Sequence, residues 1–233
     1  MSNFNVKRLT QITVLAAITL IISYQSLQSM RANTWYFNSV NILKQSEILI
    51  TPVELKLADS AIALAIDLEP TQPHYWQLSA YIKMQNLAVT REQVDDKLMV
   101  YQQAEENLLN SLELRNTWAE TWIALAQVVS YQEGPTKRVY EYIQQAKKVG
   151  PYKLDVQLGI IQISLIHWQQ LPPKYKALYV AELNLAVEYG YKFYQVFNVA
   201  KQVDALPILC LSLQFGKAFE KVRSSTVYRR SCK

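Results

Sequence analysis

From Leu9 to Met30 the chain carries no charge, and its centre, Ile12 to Ile22, is almost uniformly apolar. The run Val14-Leu15-Ala16-Ala17-Ile18-Thr19-Leu20-Ile21-Ile22 turns no polar face to water, unlike the one-sided stripe of a core helix. About 20 residues rising about 1.5 Å each cross a hydrocarbon layer about 30 Å thick. Residues 9–30 are therefore predicted as a transmembrane anchor behind a short tip, 1–8. A cleaved signal peptide ends on small residues two positions apart, whereas Ser23, Ser26, Ser29 and Ala32 recur every third position, so the segment is expected to be retained. Lys7 and Arg8 on the short side face only Arg31 and then Lys44 on the other. That bias predicts a cytoplasmic tip and an exported body, which in a Gram-negative bacterium means a single-pass inner-membrane protein with its C-terminal domain in the periplasm. An organelle lumen is the eukaryotic equivalent.

Beyond the anchor the pattern changes to helical spacing with an internal repeat. Ala58, Ala65, Leu68 and Pro70 suit a helix that packs through small residues and stops at proline, and Trp76 follows six residues after that stop, with Ala80 one turn later. The arrangement recurs with Ala104, Ser111, Leu112 and Leu114 ending near Asn116, then Trp122, Leu125 and Ala126. Weaker copies surround Ala146, Val149 and Pro151, leading to Leu158 and Ile161, and Leu183, Ala186 and Gly190, leading to Phe197 and Ala200. The interval from Trp76 to Trp122 is lengthened by an insertion over Leu87–Met99. Residues 31–54 read as one linking helix with Thr51-Pro52 as a start signal for the next, and Trp35 and Tyr36 as interfacial anchors. Residues 55–205 read as the repeats, and 206–233 as a capping helix with a basic tail.

The pattern of a large residue early on one helix, small residues at the helix contact and a closing proline resembles the tetratricopeptide repeat. With few glycines and abundant Ala, Leu, Gln, Tyr and Glu, the body reads as all-α, and the resemblance implies a degenerate solenoid of helical hairpins behind the one N-terminal transmembrane helix. Small residues let paired helices approach, and each pair leaves an apolar face that only the next pair covers. The stack has a surface for partner proteins, with Trp76, Tyr81, Trp118, Trp122 and Tyr131 as candidate contacts among rings that are mostly structural.

Only five glycines are present, too few for a sandwich or a nucleotide-binding sheet, and no phosphate loop can be drawn. The net charge of +5 is matched by the tail alone, where Lys217, Lys221, Arg223, Arg229, Arg230 and Lys233 face only Glu220. Without aromatic interleaving this does not read as a nucleic-acid site; it suits anionic lipid, an acidic polymer or an acidic partner, or else is a solvated, poorly ordered terminus. Cys210 and Cys232, the only cysteines, permit one disulfide, the expectation for an exported domain, with a reduced buried Cys210 as the other reading. The two histidines, His74 and His167, lie in different repeats without acidic neighbours at metal-ligand spacing. Asp95-Asp96 and Glu105-Glu106 are adjacent on a helix, point about 100° apart and read as solvated faces. No catalytic residue, metal or cofactor is expected.

Two stretches, Ala65-Ile66-Asp67-Leu68-Glu69-Pro70-Thr71-Gln72-Pro73-His74-Tyr75-Trp76 and Arg115-Asn116-Thr117-Trp118-Ala119-Glu120-Thr121-Trp122, together with the anchor, resemble the VpsP family of bacterial polysaccharide biosynthesis proteins. The resemblance implies a non-enzymatic inner-membrane scaffold that holds other proteins of an exopolysaccharide assembly and export system. The rival expectations are a periplasmic assembly chaperone for an outer-membrane or pilus machine, and a polysaccharide-binding protein.

Overall fold

The computed structural model describes residues 2–45, 50–89 and 94–232; these are helices and their connecting turns, with no strand among them. The chain divides into two compact units, Met1–Glu92 and Gln93–Lys233.

The first unit holds α1 (Ser2–Gln45), α2 (Pro52–Leu68) and α3 (Pro73–Val89). Its leading helix does two jobs. Every residue from Arg8 to Leu27 is exposed, and from Gln28 onward one face becomes covered. Among the described residues α1 is the one helix long and apolar enough to cross a membrane, judged by length and composition. Its C-terminal half packs along α2. Ala32 and Ser39 are fully buried, and the Ser39 hydroxyl donates to the Ala58 carbonyl oxygen at 2.9 Å. Ser29 donates to Glu69 Oε1 at 2.8 Å. The segment expected as a linking helix, 31–54, is thus continuous with the apolar helix as far as Gln45 and forms the first helix of a hairpin; residues 46–49 of it lie outside the described residues.

Thr51 starts α2 through a capping box: its side chain accepts from the Glu54 N–H while the Glu54 carboxylate accepts from the Thr51 N–H, with Pro52 in the first turn. Leu55, Ala58, Ile62 and Ala65 face the core, where Ala32 and Tyr75 meet them. Tyr36, expected as an interfacial ring, is partly buried and packs against this core with its ring centroid 5.2 Å from that of Tyr75, while Trp35 and Phe37 are exposed. Tyr75 donates to Asn33 Oδ1 at 3.1 Å, and burial, helped by the Glu69 charge and by Tyr36, pushes its phenol up to about 12.

The second unit begins with α4 (Val94–Leu114) against α5 (Ala119–Glu133), followed by α6 (Lys137–Val149), α7 (Leu154–Ile166), α8 (Pro173–Val187), α9 (Tyr194–Gln202) and α10 (Leu206–Gln214). The expected insertion is carried by long helices α3 and α4 at its two ends, with residues 90–93 outside the described residues. Helices pair as α5 with α6 and α7 with α8, and α5 meets α7, which meets α9. This gives a continuous row of α5, α7 and α9 flanked by α6 and α8, the plan of stacked hairpins. Gly159 on α7 explains how closely the row packs, because a Cβ there would overlap Ile123 Cγ1 of α5.

The chain ends in short α11 (Glu220–Arg223) and α12 (Thr226–Ser231), folded back on α9 and α10. Phe219, Val222 and Tyr228 join the core formed by Tyr179, Leu183, Phe197, Leu209 and Leu213. A disulfide joins Cys210 to Cys232, with their Cα atoms 5.4 Å apart. Over the described residues 206–232 the tail is therefore a folded cap and not a disordered terminus.

Candidate functional site

On the row of α5 and α7, Gln127 donates to Gln162 Oε1, and Gln162 Nε2 donates to the Tyr131 hydroxyl at 3.2 Å. The Tyr101 ring of α4 stacks on Tyr131, with centroids 5.6 Å apart and planes 9° from parallel. All four side chains are half-buried, so each keeps part of its surface open. Burial raises the Tyr101 phenol; burial, then the neighbouring Tyr101, raises Tyr131. Both therefore stay neutral hydrogen-bonding groups at ordinary pH. A row of amides and phenols presents donors and acceptors without net charge, which suits a polar backbone better than a charged ligand.

Of the five rings expected at a partner site, Tyr131 belongs to this row. Trp122 and Trp76 have another task. The indole N–H of Trp122 donates to the Asn116 carbonyl oxygen at 2.8 Å, and that of Trp76 donates to the Pro70 carbonyl oxygen at the same distance and interval. Each ties the start of a helix to the turn before it. Trp118 is the residue before α5, and the Arg115 guanidinium lies 4.3 Å from its ring centroid. Tyr81, on α3 of the first unit, is 51% exposed. The sequence pattern did not point to Gln127 or Gln162, because a polar residue at helical spacing reads as an ordinary solvent face.

Charged groups serve mainly as braces. Arg138 of α6 pairs with Glu105 of α4 and with Glu133, and also donates to the Tyr142 hydroxyl. Burial works against its charge, but these partners outweigh it and hold the guanidinium above its usual range. Gln132 of α5 donates to Glu105 as well, so Glu105 is part of a three-helix brace instead of a solvated face, whereas Glu106 is exposed. The side chains of Asp95 and Asp96 lie outside the described residues. Lys147 of α6 pairs with Glu182 of α8, which is 1% exposed. Lys153 pairs with Glu120 across the starts of α7 and α5.

In the basic tail, Arg223 donates to the carbonyl oxygens of Leu213 and Gly216, both at 3.0 Å, and so closes the turn after α10. Lys217, Lys221, Arg229 and Arg230 are exposed, and Lys233 lies outside the described residues. His167 caps α7 and is bonded to the Ser130 backbone, while His74 lies in the other unit. Among the described residues no group of three or more His, Cys, Asp or Glu side chains is placed to hold a metal ion.

No protein-family model matches the chain, and no curated protein does. Among solved structures it is similar to YrrB, a TPR protein with an unusual peptide-binding site, at 12% identity and a TM-score of 0.47, over 84% of this chain and 89% of that one.

Proposed function

We propose that this protein is a membrane-anchored, non-enzymatic scaffold whose tetratricopeptide-like hairpins hold partner proteins, and that the process it serves is bacterial exopolysaccharide assembly and export. The observation that carries the anchored reading is α1. Its exposed apolar stretch, residues 9–27, spans about 28 Å at about 1.5 Å per residue, and the same helix continues without a break into the hairpin with α2. Tethering of this kind raises the effective concentration of the hairpins near other membrane proteins. In this reading the partner segment lies along Gln127, Tyr131, Gln162 and Tyr101, a reading supported by their neutral donors and acceptors, which suit an extended peptide backbone. Trp118, at the start of α5, is proposed as a flanking contact, and Tyr81 as a separate contact on the first unit. The exopolysaccharide assignment rests on the sequence resemblance to the VpsP family, and the inner-membrane, periplasm-facing orientation on the Lys7 and Arg8 bias.

The test is a deletion strain of the parent organism, complemented with the full chain or with a secreted form that starts at Gln28 and so keeps the whole α1–α2 hairpin. The expected result is loss of extracellular polysaccharide, restored by the full chain alone. Unchanged polysaccharide would remove the pathway assignment. Full rescue by the secreted form would remove the anchored mechanism.

A further inference from the structure

Between the α6–α7 turn and the C-terminal end of α8 lies a pocket of about 210 Å³, walled by Tyr152, Gln157, Leu185, Glu188 and Tyr189. Two features separate it from an ordinary surface dimple. Gln157 is 1% exposed, and its Oε1 is buried without a hydrogen-bond partner among the described residues, so it has an acceptor to spare. Tyr152, in contrast, is 78% exposed, a large ring standing in solvent at the mouth. Neither ring nor amide belongs to the row on α5 and α7.

The wall chemistry is specific. Leu185 offers an aliphatic surface, Tyr152 and Tyr189 offer ring faces, Gln157 offers a carbonyl oxygen without a donor, and Glu188 offers a carboxylate that makes no ion pair with the described residues. Of the basic residues around the same turn, Lys147 is engaged by Glu182 and Lys153 by Glu120, while Lys148 is exposed and forms no ion pair with Glu188. A ligand that satisfies this set has an apolar stem, a cationic head that stacks on aromatic rings, and several N–H donors with no acceptor. Among protein side chains arginine meets all of these, and its guanidinium sheds water more readily than an ammonium does.

We infer that this pocket receives an arginine side chain from a partner segment, with the stem along Leu185, the guanidinium against the tyrosine rings, and its N–H groups directed to Gln157 Oε1 and the Glu188 carboxylate. The site is independent of the polysaccharide assignment and of the α5–α7 row.

The experiment is saturation-transfer NMR on the full chain in lipid nanodiscs, with the pentapeptide acetyl-Gly-Gly-Arg-Gly-Gly-amide as probe. Its lysine, citrulline and leucine counterparts, N-acetyltryptophanamide and methyl glucoside are run beside it. The expected result is transfer to the arginine methylenes, weaker for lysine and absent for citrulline and leucine. It should fall at least about fivefold in both Tyr152→Ala and Glu188→Gln, exposed positions whose change leaves the core alone. Equal transfer to the arginine and leucine peptides, or an arginine signal that neither variant changes, overturns the inference. A stronger signal from the tryptophan amide or the glucoside also overturns it, by assigning the pocket another occupant.

Discussion

Ser39 and Ala58 hold the crossing of α1 and α2: the fully buried hydroxyl donates to the Ala58 carbonyl oxygen at 2.9 Å, at a point where two small, fully buried residues meet. The bond joins the end of the long helix to the first helix of the body, so the tether and the hairpin are one structural piece. Replacing Ser39 by alanine removes one net hydrogen bond, a loss of about 1 kcal/mol. Ser39→Leu instead forces extra volume into the crossing and should cost about 1 to 3 kcal/mol. Urea unfolding of the two variants in detergent checks the order, and equal midpoints would show that the crossing tolerates separation.

That crossing also explains what the sequence concealed. The repeats after residue 55 are legible because alanines, leucines and the Trp76 and Trp122 intervals recur at fixed spacing. The first hairpin is not, because α1 meets α2 and α3 through Ala32, Ser39 and Asn33, of which two are polar. A pattern search scores those as solvent positions. The tail misleads for a related reason: Arg223 contributes to charge in the sequence, yet its guanidinium is occupied by the Leu213 and Gly216 carbonyls. Aromatic type signals packing or binding equally well, so the turn-clamping role of Trp76 and Trp122 needed their hydrogen bonds to be seen.

Those clamps give a second prediction. Trp122→Phe keeps the ring hydrophobic but deletes the N–H that meets Asn116, and Trp76→Phe does the same at Pro70. Each should lower stability by about 1 kcal/mol from the lost bond, plus a smaller packing loss from the smaller ring. Hydrogen exchange should show the loss concentrated in the first turns of α5 and α3. An effect spread evenly over the chain would argue against a local clamp.

Gly159 provides a test of the candidate partner face. Alanine is the better helix former by about 0.5 to 1 kcal/mol, so on propensity alone Gly159→Ala would stabilise α7. The added Cβ, however, overlaps Ile123 and comes within 3.4 Å of Gln127 Cδ. Overpacking of this kind costs about 1 to 3 kcal/mol and should win. The variant is expected to be less stable and to disturb the side-chain amide resonances of Gln127 and Gln162. A more stable protein with unchanged amide signals would mean that α5 and α7 adjust freely.

The Cys210–Cys232 disulfide closes a segment with a sequence separation of 22 and ties α12 to α10. On the chain-entropy estimate, breaking it costs about 3 kcal/mol. Reduction, or paired Cys210→Ser and Cys232→Ser, should lower the melting temperature and release protection first around Tyr228 and Val222, which sit beneath the cap. If the reduced protein melts unchanged, the core contacts of Phe219, Val222 and Tyr228 are holding the cap without the bond.

Acid should weaken the fold in two stages. Burial lowers the His167 pKa below its usual 6.5, and the hydrogen bond to the Ser130 backbone only partly offsets this. The unfolded chain therefore takes up the proton more readily than the folded one, so this contribution is complete above pH 6.5 and is lost as pH falls through the lower folded value. For Glu120 the largest influence, burial, pushes upward, but the Lys153 hydrogen bond, a backbone hydrogen bond and the Lys153 charge together bring it below its usual 4.5. Its contribution is present above pH 4.5 and is lost below it, as pH falls through the folded value. His167→Gln should flatten the first stage and leave the second. Lys153→Met should raise the Glu120 pKa above 4.5, since burial then acts with its main opponents gone. Urea midpoints measured from about pH 7.5 to pH 3.5 separate the stages, and carboxyl NMR shifts report Glu120 directly. A first stage of equal size in wild type and His167→Gln would assign it to another group.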